Sequence, residues 1–203
     1  MSVINWPGFG VDSFRWSLTP KAANFSSIFG QQSLSGSAPV WEVEMRMVPQ
    51  YWQQSIAAQT FIESLDGYTN QIALWNLYQP QPAGTLRGSL TLGFATSQGA
   101  PNIWIAGGAS QAFKTLLAGD LVGIGSGLTQ QVLRISQNGA TDATGLGNFL
   151  VTTPIRNAIS AGSAVAWDRP KALFRQKSLV DGIEFVAKVG NSWSLSLIED
   201  FRP

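Results

Sequence analysis

The stretch from Leu117 to Arg175 has room only for short strands. Its apolar runs last about four to six residues and are cut by Gly, Asn or Asp at short intervals, the pattern of consecutive strands in a tightly wound β module. Ala118-Gly119-Asp120 and Ser126-Gly127 tolerate positive φ, Asn138-Gly139 reads as a hairpin turn, and Asp142-Ala143-Thr144-Gly145 as a second polar turn. The strands expected between them, 121–124, 130–135, 149–152 and 164–167, are each sized for a small barrel. Pro154 and Pro170, with Arg156 and Arg169 close by, mark strand ends, because proline cannot donate to a central ladder.

Elsewhere the period changes twice. Trp41 to Met47 alternates strictly, with Trp41, Val43, Met45 and Met47 on one face and Glu42, Glu44 and Arg46 on the other, which predicts a half-buried strand. After Pro49, the residues Trp52, Ile56, Ala58, Phe61, Ile62 and Leu65 recur at helical spacing and Gly67 stands at a C-cap position. One amphipathic helix is expected from about Gln50 to Asp66. Further strands are expected at 72–78, 89–92 and from Asn102, then at 173–176, 182–189 and 193–198, with Asp181-Gly182 and Gly190-Asn191 as turns.

Residues 2–38 scatter Trp6, Phe9, Phe14, Trp16, Phe25 and Phe29 without a helical period, as in an extended arm or edge strands, and 31–37 read as a polar loop. These aromatics either cover their own core or pack on a neighbouring subunit, where aromatic anchors contribute disproportionately to affinity. Trp6, Phe9, Phe14 and Trp16 are the candidate subunit-interface residues. The economical architecture is mainly β: a β-sandwich with one flanking α-helix from 1–98 together with 171–203, and an inserted small β-barrel from 99–170. No period of about 20 to 50 residues repeats, so the chain is not a solenoid.

Histidine and cysteine are both absent, which excludes Ser-His-Asp, Cys-His and zinc-ligand constellations. A paired-carboxylate glycosidase stays formally open, because Glu42, Glu44, Glu63, Asp66, Asp120, Asp142, Asp168, Asp181, Glu184, Glu199 and Asp200 are available. Most of them lie in turns or on the solvent face of a strand, where acidic residues serve as turn formers and solvated charge. Gly123-Ile124-Gly125-Ser126-Gly127 has no lysine after it and opens no helix, so it is not a phosphate-binding loop. Asp120 and Asp142 lack the alternating oxygen ligands of a calcium loop. No catalytic residue, cofactor or metal is therefore expected.

The 13 basic and 12 acidic residues are spread along the chain, with no Lys/Arg stripe for a phosphate backbone, so nucleic acid is not an expected partner. Only 12% of residues are charged and the net charge is +1, a surface with little electrostatic protection against self-association. No run approaches the roughly 20 apolar residues of a membrane span. Met1 to Trp6 lack a basic and an apolar signal region, so synthesis in the cytoplasm, with release only as part of a larger particle, is the expectation.

The order of turn and core residues resembles the tail structural proteins of tailed bacteriophages, distal tail proteins in particular. It is carried by Ala118-Gly119-Asp120, the apolar run ending at Gly125, the Asp142–Gly145 turn, Thr153-Pro154-Ile155-Arg156, Ala161-Gly162-Ser163-Ala164-Val165, Arg169-Pro170 and Phe174-Arg175. Phe14-Arg15-Trp16, Phe29-Gly30-Gln31-Gln32, Trp41 and Leu65-Asp66-Gly67 before Asn70 extend it to the N-terminal half. The resemblance implies a virion protein made in the host cytoplasm. Its sandwich would form a homo-oligomeric ring of three- or six-fold symmetry around the tail lumen, contacting tube, hub and fibre proteins, with the barrel turned toward fibres or host.

Two other readings belong to different classes. Eight tryptophans suggest sugar stacking, and a carbohydrate-binding module for host surface glycan is the alternative. Periodicity assigns Trp41, Trp52, Trp75 and Trp193 to packing, which leaves Trp104 and Trp167 as the outward-facing binding candidates. A carboxylate-dependent glycan hydrolase, with Asp120 and Asp168 as its acids, is the third.

Overall fold

A computed structural model describes residues 2–27, 30–180, 182–186 and 189–200, giving the backbone alone for 21–27 and 31–37. The fold is mainly β, a sandwich-type arrangement with one α-helix among the described residues. Contacts divide it into two compact units, Met1–Leu74 with Leu173–Asp200, and Trp75–Ala172. The second unit therefore starts near 75 rather than 99, and the expected strand at 89–92 belongs to it.

The first unit carries β1 (Val3–Asn5), β2 (Val11–Ser27), β3 (Gly30–Met47), β4 (Gln50–Tyr51), α1 (Trp52–Ser64) and β5 (Gln71–Trp75). The second carries β6 (Leu90–Leu92), β7 (Asn102–Ala106), β8 (Thr115–Leu116), β9 (Leu121–Ile124), β10 (Gln131–Arg134), β11 (Gly139–Ala140), β12 (Leu146–Leu150) and β13 (Ala164–Ala166). The chain then returns to the first unit with β14 (Lys171–Gln176), β15 (Phe185–Val186), β16 (Val189–Gly190) and β17 (Ser194–Glu199).

In the first unit a six-stranded sheet runs β1-β5-β14-β17-β3-β2, and β15-β16-β4 form a smaller one. The alternation of β3 is realised. Trp41, Val43, Met45 and Met47 are at most 2% exposed, while Glu42 pairs with Lys177 at 2.9 Å and Glu44 with Arg15 at 3.5 Å on the opposite face. The excursion to the second unit leaves from β5 and re-enters at β14, which are neighbours in this sheet. Adjacent ends let a whole domain replace a loop at small entropic cost, because closure entropy grows only slowly with loop length.

Helix α1 falls inside the expected span, and a left-handed turn stops it. Asp66 (φ 47°) and Gly67 (φ 62°) turn the chain, and Asn70 caps the end with Nδ2 on the Ser64 carbonyl at 2.9 Å. Its inward face differs from the one read from periodicity. Ser55, Ala58, Phe61 and Ile62 are buried, whereas Trp52 and Ile56 are 48% and 49% exposed. The reason is close packing on β16: a Cβ at Gly190 would run into the Ser55 hydroxyl, so the small side of the helix is turned inward.

In the second unit six strands run β10-β9-β13-β6-β7-β12. The two outer strands then meet through an Ile135–Val151 bridge, with Ser136 N–H donating to the Leu150 carbonyl and Thr152 N–H to the Arg134 carbonyl, both at 2.9 Å. Those contacts join the outer strands and close the sheet into a small barrel. Leu92, Ile103, Ile105, Val122, Leu133 and Phe149 lie in its core, each at most 1% exposed.

Three local expectations fail for tertiary reasons. Asn138-Gly139 is not a hairpin turn: β10 pairs with β9, β11 pairs with β8, and the Asn138 side chain instead accepts the Ala118 N–H at 2.8 Å. The barrel strand expected at 149–152 begins at Leu146, because Gly147 lies beneath the Phe149 ring, where a Cβ would come within 2.7 Å. Likewise 182–189 is not one strand but contributes β15 and the start of β16. Of the Asp181-Gly182 turn, residue 181 lies outside the described residues, as does Phe29 of the resemblance.

Candidate functional site

Several of the acidic residues hold the fold together. Asp120 is 1% exposed; its Oδ1 accepts the Ala83 N–H at 2.7 Å, and its Oδ2 accepts those of Gly84 at 3.0 Å and Leu117 at 2.8 Å. Both oxygens are thus occupied by backbone donors. Asp168, proposed as its partner acid, is exposed and accepts the Gln81 side-chain amide at 3.0 Å. Glu199 Oε2 holds the Trp41 N–H at 2.8 Å inside the first unit. Asp142, fully exposed, has its carboxyl held below the usual range, chiefly by the Thr144 hydroxyl and then by the Leu146 and Thr144 N–H groups. Among the described residues no group of three or more His, Cys, Asp or Glu is placed to hold a metal ion, and no helix is long and apolar enough to cross a membrane.

The four candidate interface aromatics divide into two clusters, each within the first unit. Trp6 is 5% exposed and sits 5.5 Å from Phe9 and 5.6 Å from Phe61, with Trp193 6.2 Å beyond Phe9. Phe14 lies 6.2 Å from Trp16, whose ring lies tilted at 5.6 Å from Trp41 and edge to face at 5.1 Å from Phe174. Trp6 is therefore a core residue, while Phe9, Phe14 and Trp16 are half-buried. Of the barrel candidates, Trp167 packs on the barrel core, donates Nε1–H to the Gly88 carbonyl at 2.8 Å and is capped by Arg87 at 5.0 Å. Trp104 is the open one, 36% exposed beside Phe94 at 54%.

The feature that composition did not show is a ribbon. β3 pairs with β17 only from Glu42 to Arg46, but with β2 all the way to Gly30. Among the described residues, 21–27 and 30–37 pair only with each other, from Lys21↔Ser37 to Ser27↔Gly30, after register shifts at Thr19/Lys21 and Lys21/Ala22. The segment expected to be a polar loop, 31–37, is thus strand: its small polar residues do not oppose pairing once β2 supplies a ladder. A sequence signal existed in the nearly uncharged run 20–39, whose one ionisable residue is Lys21. Isolated two-stranded ribbons are marginal in water, and edge strands are ordinarily guarded by charge.

No protein-family model matches the chain, and no curated protein matches it.

Proposed function

We propose that this chain is a structural subunit of a bacteriophage tail, forming a homo-oligomeric ring at its distal end that joins the tail tube to tip or fibre proteins. The observation that carries the reading is the ribbon of 21–27 and 30–37, a length of two-stranded sheet lacking a third strand among the described residues. A free edge of this kind gains most from pairing with, or lying across, another chain. The low charge of the chain favours the same outcome, and the resemblance in turn residues supplies the tail context. Repeated head-to-tail contact between such subunits closes a ring when the rotation closes. The half-buried Phe9, Phe14 and Trp16 remain the candidate interface aromatics, with the buried Trp6 packed against Phe9.

Light scattering after size exclusion and negative-stain images of the purified chain test this directly. A ring of three or six copies of the 21.8 kDa chain is the expected result. Replacing residues 22–36 by an Asn-Gly turn, which joins the paired Lys21 and Ser37, should give a folded monomer. Ala23→Pro, which removes one donor from the ribbon, should weaken the ring. A wild-type monomer at tail-assembly concentrations, or rings that survive both changes, would refute the proposal.

A further inference from the structure

We infer that the outer face of β6, β7 and β12 is a platform for a neutral glycan, built on the Trp104 and Phe94 rings and the Asn102–Asn148 amide pair. The argument starts from strand alternation. Ile103 and Ile105 are fully buried in the barrel, so Trp104 between them stands on the outside. In register it lies opposite Asn148 on one side. On the other side Gly93 donates its N–H to the Trp104 carbonyl at 2.8 Å, and, being glycine, offers no side chain to cover the indole.

Phe94 meets Trp104 edge to face, with ring centroids 5.4 Å apart and planes at 84°. One ring is then a floor and the other a wall, a fixed corner of two apolar surfaces. Leu150, opposite Asn102 in the ladder, extends the apolar part at 41% exposure. A pyranose ring has a face of C–H groups suited to such a floor and hydroxyls around its rim that need partners.

Those partners are in place. Asn102 Nδ2 donates to Asn148 Oδ1 at 2.8 Å, which leaves the Asn148 amide nitrogen as a donor and the Asn102 oxygen as an acceptor. A donor beside an acceptor is what two neighbouring hydroxyls require. An apolar protein surface laid over the same spot would bury both groups unpaired, which disfavours such an occupant. Charge narrows the ligand further: neither 88–113 nor 143–155 contains Asp, Glu, Lys or Arg. The strands of this face thus offer nothing to a phosphate or an acidic sugar. The platform does not depend on the ring, although a ring would multiply a weak site by avidity.

The test uses the full chain with maltohexaose, cellohexaose and chitohexaose as neutral probes and a polysialic acid oligomer as the acidic control. Proton–nitrogen spectra follow the indole N–H of each tryptophan. One neutral probe should shift the Trp104 resonance at about 10 mM, with a Kd on the order of 1 mM. Trp104→Ala should weaken binding at least about tenfold, Asn148→Leu should do the same without removing the ring, and Phe113→Ala, on another exposed ring, should leave it unchanged. The wild-type spectrum needs no variant to fold. The inference is overturned if no neutral probe moves Trp104, if the acidic oligomer binds better, or if Trp104→Ala abolishes self-association instead of sugar binding, which would make this face an interface between copies.

Discussion

Replacing Asp120 by Asn changes one atom, and the structure gives a large cost for it. Three backbone N–H groups, of Ala83, Gly84 and Leu117, converge on the buried carboxylate at 2.7–3.0 Å. Together they tie the 83–84 segment to the turn before β9. An amide keeps one acceptor oxygen and turns an NH2 group toward at least one of these donors. Two bonds then fall from the charged class to the neutral one, losing about 1 kcal/mol each, and the part-buried Ala83 N–H is left unpaired at about 1–2 kcal/mol. Relief from burying a charge offsets part of this, so about 3 kcal/mol is the expected net loss.

A chain with two units does not have a single unfolding free energy, so hydrogen exchange is the better assay than a global melt. The slowest amides of β9 and β10 should lose roughly a hundred-fold in protection, the equivalent of about 3 kcal/mol, while those of β3 and β17 in the first unit stay as they were. Protection in the barrel within about threefold of wild type would show that the three bonds carry little net free energy, and would refute the structural assignment of Asp120. If Asp120 were instead a catalytic acid, the same variant would lose hydrolysis with no change in exchange.

Other expected outcomes follow from particular contacts. Trp41→Ala, at a fully buried site, should destabilise the first unit by about 3–5 kcal/mol, whereas Trp52→Ala, at 48% exposure, should change exchange in the same unit far less. The Asp142 carboxyl should titrate below an ordinary aspartate, and Thr144→Val should move it back up, because the Thr144 hydroxyl is the largest cause of the lowering. Since the folded value lies below the unfolded one, the turn's contribution is complete above the unfolded value and is lost as pH falls through the folded value; a carboxyl resonance titrating as in a free peptide would contradict this. Gly145→Ala should destabilise the barrel, because Gly145 has φ 80° and a Cβ there would run into the Gly108 carbonyl. A melt unchanged by that substitution would count against the observed loop.

Much of the fold was legible because it depends on short-range pattern. The alternation from Trp41 to Met47 had one solution, a strand with its apolar face inward, and the helical spacing after Pro49 placed α1 within two residues at each end. Frequent turn residues between 117 and 175 left nothing but short strands there. The absence of histidine and cysteine removed whole classes of chemistry before any coordinate was known.

What the sequence could not supply were facts about which strands meet. Asn138-Gly139 has the composition of a hairpin turn, yet its neighbours pair elsewhere because β9 and β8 compete for them. Trp52 and Ile56 carry the helical period, but Gly190 lets the Ser55 side approach β16 and turns both outward. Trp6 looked like an anchor for a second copy and lies in the core of its own unit. The ribbon of β2 and β3, and the corner made by Phe94 and Trp104, arise from residues whose partners lie well beyond the next turn of the chain, as with Lys21 and Ser37. By itself, then, the sequence determined most of the element types and removed histidine- and cysteine-based chemistry, since both are set by local period and residue inventory. Tertiary structure alone decided which faces and edges were left open, because pairing distributes a limited set of partners among competing strands.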